Sequence, residues 1–162
     1  MYNEQTWKMG EQLAQDYMKK QGYKIIYTNF SGTGFELDIV ARLPKKVQYK
    51  SLKNEYKKKI KNAKTSQNKK ILQNNLKNLK NSLSDILVIT EVKARADDRF
   101  GKGCECIDLK KRQHLIRGAK FLMKKPEFAG MQVRFDVASV DYGKVTYIEN
   151  SFCSWKFQRL YL

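Results

Sequence analysis

Cysteine is scarce in this 162-residue chain, with three residues, Cys104, Cys106 and Cys153. An odd, sparse set does not make a disulfide scaffold, and free thiols in a reducing compartment are the simplest reading. Cys104-Glu-Cys106 offers two metal ligands, but no third or fourth ligand follows at zinc spacing, which argues against a zinc site. There is one histidine, His114, in a basic helical stretch, where a surface position is expected. No apolar run approaches the roughly 20 residues that span a bilayer. The opening Met-Tyr-Asn-Glu-Gln-Thr-Trp lacks the basic-then-apolar order of a secretory leader, so a cytoplasmic protein is expected. Prolines are only two, Pro44 and Pro126, and each falls where a pattern breaks.

Acid is the other shortage. Sixteen acidic residues face 33 basic ones, a formal net charge of +17. Such a charge points to a polyanionic partner, nucleic acid or an anionic membrane. The excess is local: thirteen lysines and a single acid, Glu55, lie between Lys45 and Lys80, leaving 20 bases and 15 acids elsewhere.

The most organised stretch is Asp85-Ile-Leu-Val-Ile-Thr-Glu91-Val-Lys93. Side chains alternate across a strand, so Glu91 and Lys93 share a face with Leu87 and Ile89, while Ile86, Val88 and Val92 take the other. Apolar residues on both faces predict a strand inside a sheet. Charges at the end of such a strand call for a partner or a metal, because burying a lone charge is costly. An ion pair at an exposed strand end is the plainer alternative, and Glu-x-Lys alone is a common pattern.

Around this strand the spacing predicts a helix from about Asn3 to Gln21, with Trp7, Ala14 and Met18 on its apolar stripe and Gly22 at its end. Glu11 falls inside the stripe, either functional or at a margin that reaches water. Tyr23 to Phe30 reads as a strand, Ser31 to Gly34 as a turn, and Phe35 to Arg42 as a second strand. Strict alternation would put Phe35, Leu37, Ile39 and Ala41 on one face and Glu36, Asp38 and Val40 on the other. Two acids side by side repel, and a cation would relieve them. Between Pro44 and the central strand, Leu52, Tyr56 and Ile60, then Leu72, Leu76, Leu79 and Leu83, recur at helical spacing. An antiparallel helical hairpin turning near 64–68 is expected. Its lysines suit phosphates and Tyr49 and Tyr56 suit base stacking, although a tolerated Lys/Asn-rich insertion accounts for the composition equally well.

After a loop from Ala94 to Cys106, Asp108 caps a helix running to about Lys125, with Leu109, Leu115, Ala119 and Leu122 apolar and Lys110, Lys111, Arg112 and Arg117 basic. Met131 to Val140, a turn at Asp141 to Lys144, and Val145 to Glu149 form a closing strand pair. The aromatic tail, Phe152, Trp155, Phe157 and Tyr161, is expected to pack on the body or on another subunit.

In order, Gly10-Glu11-Gln-Leu-Ala14, Glu36-Leu-Asp38-Ile-Val-Ala41, Glu91-Val-Lys93-Ala-Arg95, Arg99-Phe-Gly101, Lys111-Arg-Gln113, Arg134-Phe-Asp-Val137 and Asn150-Ser-Phe152 resemble the YraN-like family, placed with the PD-(D/E)xK nucleases and akin to archaeal Holliday junction resolvases. The resemblance spans nearly the whole chain outside the insertion and the last ten residues. Phe35 stands where similar proteins carry glycine. It implies an α/β fold with a restriction-endonuclease-like core: a mixed sheet of about five strands flanked by helices, in one domain over 1–162, with the Lys-rich helical hairpin of 44–83 inserted. It further implies an endonuclease that hydrolyses DNA phosphodiester bonds, on branched or damaged DNA. Asp38, Glu91 and the backbone carbonyl of Val92 would hold Mg²⁺ or Mn²⁺, whose bound water becomes the nucleophile. Lys93 would orient that water or stabilise the transition state, with Glu36 and Glu11 assisting. Arg95, Lys110, Lys111 and Arg112 would grip the DNA backbone, reading shape rather than sequence. The partner expected is DNA, not membrane, with a homodimer left open. A catalytically idle DNA-binding module is the alternative.

Overall fold

The computed structural model describes residues 4–95 and 107–152, with side chains for 7–94 and 107–152. A helix α1 (Glu4–Lys20) leads into strands β1 (Lys24–Gly32) and β2 (Phe35–Leu43). Helices α2 (Lys45–Asn62) and α3 (Ser66–Ser82) follow, then β3 (Ile86–Arg95), α4 (Leu109–Leu122), a 3₁₀ turn at Pro126–Phe128, and strands β4 (Gln132–Asp141) and β5 (Lys144–Ile148). The five strands lie in the order β1-β2-β3-β4-β5. All neighbours are antiparallel except β3 and β4, which run parallel and so need a crossover, of which α4 is the helical part. The sheet is therefore mixed, with β3 at its centre.

Each face of the sheet carries its own core. On one, Phe35, Leu37, Val40, Leu87, Ile89, Phe135 and Val137 pack with Leu115, Ala119 and Leu122 of α4. On the other, Ile39, Ala41, Val88, Val92, Ala94, Ala138 and Val140 pack with Ala14 and Met18 of α1. Both helices approach closely, at a glycine each. A Cβ on Gly10 would lie 2.5 Å from that of Ala94, and one on Gly118 would meet the Leu37 side chain at 2.7–2.9 Å. These contacts set α1 against the Ala94 end of β3 and α4 against the Leu37 end of β2.

The expected helical hairpin is present as α2 and α3, and neither helix has a buried residue. Leu52, Tyr56, Ile60, Leu72, Leu76, Leu79 and Leu83 are all half-buried, so the two narrow stripes cover one another rather than joining the main core. The root is fixed to the sheet. Gln48 donates to the carbonyls of Leu43 and Ser84, and Asp85 accepts the Lys45 amide at 2.8 Å. Because β2 and β3 pair from Leu43↔Ile86 inward, the hairpin leaves the sheet at the end of these strands opposite Asp38 and Glu91.

Three expectations need correction. Leu109, assigned to the apolar side of α4, is 75% exposed, because at 100° per residue it falls off the stripe that Leu115, Gly118, Ala119 and Leu122 turn to the sheet. The helix stops at Leu122, short of Lys125, and Pro126 opens a separate 3₁₀ turn that buries Phe128. The strict alternation along β2 also fails: Ile39 and Ala41 belong to the α1 core, not with Phe35 and Leu37. Cys104, Cys106, Cys153, the Arg99-Phe-Gly101 segment, the Arg95 side chain and the tail beyond Phe152 lie outside the described residues. Phe152 itself is buried and stacks on Phe135 with ring centres 4.6 Å apart.

Candidate active site

The faces of β2 exchange at Asp38, between Leu37 of one core and Ile39 of the other, while the register shift of β1 on β2 lies farther along, between Ile25 and Tyr27. Beside Asp38, β1 pairs Thr28 with Ile39 and Phe30 with Leu37, and the residue between, Asn29, takes a left-handed conformation with φ of 50°. Such a conformation is uncommon outside glycine, and asparagine is among the residues that tolerate it. On the other side, β2 and β3 pair no further than Ile39↔Thr90. The next residues on the two strands are Asp38 and Glu91. Instead of continuing the ladder, Asp38 Oδ2 accepts the Val92 amide at 2.7 Å, a side chain standing in for a missing backbone carbonyl. The same departure from regular pairing exchanges the faces beyond it and turns the Asp38 carboxylate toward Glu91.

Asp38 and Glu91 are 4% and 7% exposed. Between them reaches Lys111 from the first turn of α4, its Nζ 2.8 Å from Glu91 Oε2 and 3.7 Å from Asp38 Oδ1. The Glu91 oxygen is otherwise buried without a hydrogen bond, so its contact to Lys111 is an ion pair of close approach but poor hydrogen-bond alignment. Burial, and then the charge of Glu91, push the Asp38 carboxyl up to about 7, against the pull of Lys111 and the Val92 amide. Burial works against the Lys111 charge, yet Asp38, Glu91 and more distant Glu36 carry its pKa upward. Once Asp38 ionises, above about pH 7, two buried acids and one ammonium share a net negative charge that a further cation would neutralise.

Of the residues singled out in the sequence, Asp38 and Glu91 converge. Lys93 follows Glu91 by two positions on the same strand face and is half-buried. Glu36 is exposed and contributes only field at Lys111. Glu11 is buried on α1, 6% exposed, and accepts a 2.9 Å hydrogen bond from Asn29, the residue whose kink accompanies the displacement of Asp38. Among the described residues no group of three His, Cys, Asp or Glu side chains gathers for a metal, so Glu36 and Glu11 do not join Asp38 and Glu91 as ligands. Lys110 is exposed. Arg112 is half-buried, donating to the Ile107 carbonyl at 2.6 Å with its guanidinium over the Phe152 ring. His114 is half-buried on α4 rather than fully at the surface.

Lys111 is the residue whose place sequence reasoning missed, since its neighbours in the chain mark it only as one phosphate-gripping base among several. A signal is nevertheless there. Asp108 caps α4 and accepts the Lys111 amide at 2.7 Å, which puts Lys110, Lys111 and Arg112 in the first turn. Cations are disfavoured at that end of a helix dipole, so a basic first turn implies acids close by in space.

A second polar cluster lies apart from this site. Asp136, fully buried, accepts from Arg134 at 2.7–3.2 Å, from Tyr147 at 2.8 Å and from the Asn150 amide at 2.9 Å. Tyr23 and Glu149 complete it through Arg134. It closes the Arg134-Phe-Asp-Val137 stretch onto β1 and the end of β5, beside a cavity of about 300 Å³ that reaches the hairpin root at Val47 and Leu52. Arg134 pairs both acids of the cluster, which ties these strands together.

Fold and site together define a mixed α/β protein with two buried carboxylates and two lysines at a break in the central strand pairing. The model of the Uncharacterised protein family UPF0102 matches residues 10–140, and the chain belongs to that family. It is 30% identical over 147 residues to a UPF0102 protein of Thermodesulfovibrio yellowstonii, covering 90% of this chain and 93% of the relative. Similar proteins from Persephonella marina (27% over 145 residues, 90% of each chain) and Alkaliphilus metalliredigens (27% over 148 residues, 90% and 95%) carry the same family name.

Proposed function

We propose that this protein is a metal-dependent endonuclease that hydrolyses DNA phosphodiester bonds, with branched or damaged DNA as its substrate. The observation that carries the reading is the juxtaposition of Asp38 and Glu91, both buried, with Lys111 between them and Lys93 beside them. A buried pair of acids, with one Glu91 oxygen held only by the Lys111 ion pair and no hydrogen bond, fits a small hard cation. Mg²⁺ and Mn²⁺ favour one or two carboxylates and complete their shells with water and substrate phosphate. Asp38 and Glu91 would hold the ion, with the Val92 carbonyl as the expected third protein donor. When bound, the ion supplies an activated water and neutralises phosphate charge.

The chain's own residues would do the remainder. The Val92 amide and the kink at Asn29 hold the Asp38 carboxylate in position before any ligand arrives. Lys93 would place its ammonium toward the phosphate, where charge grows in the transition state. Lys111 would offset part of the upward push that burial and Glu91 exert on the Asp38 pKa, and then face the phosphate itself. Glu11 acts at one remove, through Asn29. Arg95 and Lys110 would hold the backbone of the DNA, contacts that fix position and not sequence.

A second reading has its own support. Lys111 already neutralises part of the acid pair, which is what an idle site in a DNA-binding module would retain. Cleavage of duplex and four-way-junction DNA in Mg²⁺ separates the two. Glu91→Gln and Lys93→Ala are expected to lose at least a hundredfold in rate with DNA binding intact. Equal cleavage by the parent and both variants would refute the enzymatic reading. Salt-sensitive binding without cleavage of any substrate would favour the idle module.

A further inference from the structure

The lysines of α2 are not scattered. Lys46, Lys50, Lys53, Lys57 and Lys61 recur at four, three, four and four residues, which places them in one stripe along the helix. Four of the five are exposed and Lys53 is half-buried. At 1.5 Å per residue the stripe is about 22 Å long. Successive members sit at the spacings where like charges repel, costing about 0.2–0.5 kcal/mol for each adjacent pair. Only one acid, Glu55, lies in this helix, and it pairs with Lys59, off the stripe. The helix therefore maintains an uncompensated line of positive charge on a root anchored to the sheet.

We propose that this stripe is a second nucleic-acid contact, one that lies along the phosphate backbone of duplex DNA away from the carboxylate pair. Part of the case is charge complementarity: duplex DNA presents one negative charge for about every 1.7 Å of its axis. Two observations choose the occupant. A membrane-surface helix needs a free apolar face, but Leu52, Tyr56 and Ile60 are half-buried in the pairing of α2 with α3. Single strands are held by stacking on open aromatic rings. Tyr49 and Tyr56 are half-buried and each ring is faced by an ammonium, Lys53 at 5.7 Å and Lys59 at 5.9 Å, which disfavours them as an open stacking platform. The stripe's place in the fold separates its task from chemistry. The hairpin leaves at Leu43, five residues from Asp38, a distance of about 17 Å along an extended strand. It would tether flanking duplex while the acid pair acts elsewhere. This inference deepens the nuclease reading but does not need cleavage to be tested.

The experiment measures binding of the full chain to a 30-base-pair duplex as a function of salt. Lys50→Gln with Lys57→Gln removes two stripe charges; Lys58→Gln with Lys59→Gln removes two that lie off the stripe on the same helix. The stripe pair is expected to lower the slope of log K against log salt by about 1.8, at about 0.9 for each phosphate no longer neutralised, and the off-stripe pair to leave it within a few tenths. Circular dichroism confirms that α2 persists in both. Equal changes in the two pairs, or an unchanged slope in the stripe pair, would overturn the proposal. Preferential loss of binding to phosphatidylserine vesicles, with duplex binding intact, would overturn it in favour of a membrane. Failure of the nuclease reading shows differently: Glu91→Gln and the parent would cleave alike, whatever the stripe does to the slope.

Discussion

Replacing Asp38 by asparagine is expected to stabilise the metal-free protein at alkaline pH while removing the proposed cleavage. The amide has the same shape, and its oxygen can still accept the Val92 amide now held at 2.7 Å. Lys111 keeps Glu91 at 2.8 Å. What disappears is one of two negative charges buried side by side. Burial and the charge of Glu91 raise Asp38 to about 7, from 3.8 in an unfolded chain. Below pH 3.8 both states hold the proton. Between there and about 7 the unfolded chain releases it and the native protein does not. Native stability therefore falls as pH rises through this window and levels off above it. The whole fall amounts to roughly 4 kcal/mol, at 1.36 kcal/mol per tenfold change in proton affinity. The part between about pH 5 and pH 8 is about 2–3 kcal/mol. Asparagine does not titrate, so the advantage of Asp38→Asn over the parent should grow by that amount from about pH 5 to pH 8. In a chain of this size it corresponds to roughly 5–10 °C in Tm. Urea unfolding in EDTA at the two pH values measures it. A variant less stable than the parent at the higher pH, or an advantage equal at both, would refute the reasoning. The same variant should lose Mn²⁺-induced stabilisation, as expected where a functional charge is kept at the expense of stability.

Two other substitutions test how the site is positioned. Asn29→Ala places alanine at a φ of 50° and leaves the buried Glu11 carboxylate without its donor, and should cost about 1–3 kcal/mol in thermal unfolding. Asn29→Gly, which relieves the backbone but not Glu11, should cost less. Gly10→Ala should destabilise by about 1–3 kcal/mol, because its methyl would sit 2.5 Å from that of Ala94 and force α1 away from β3. No change in melting temperature would show that α1 shifts without cost.

Much of this architecture was readable from spacing alone. Aliphatic residues on both faces from Ile86 to Val92 required a central strand, and β3 is one, between β2 and β4. Asp108 marked the start of α4, and the leucine spacing marked α2 and α3, because caps and apolar stripes are local properties of the chain. The acids that the strand pattern paired, Glu36 and Asp38, are not the ones that meet: Glu36 is exposed, and Asp38 lies instead with Glu91, a combination that only the family resemblance implied, around Lys111. Tertiary structure decided the remainder. Nothing near Asp38 in sequence reveals that the faces of β2 exchange there, because the exchange goes with the backbone of Asn29 in one neighbouring strand and the amide of Val92 in the other. Helical spacing puts Lys111, four residues before Leu115, on the buried stripe of α4 and Lys110 off it, but only packing of that helix over β2 and β3 brings its ammonium to Glu91. The direction taken by the lysine-rich hairpin was settled in the same way, by the register of β2 on β3. Local chemistry fixes elements and their faces; which charges meet depends on strand register and helix docking, and those follow from contacts between residues distant in the chain.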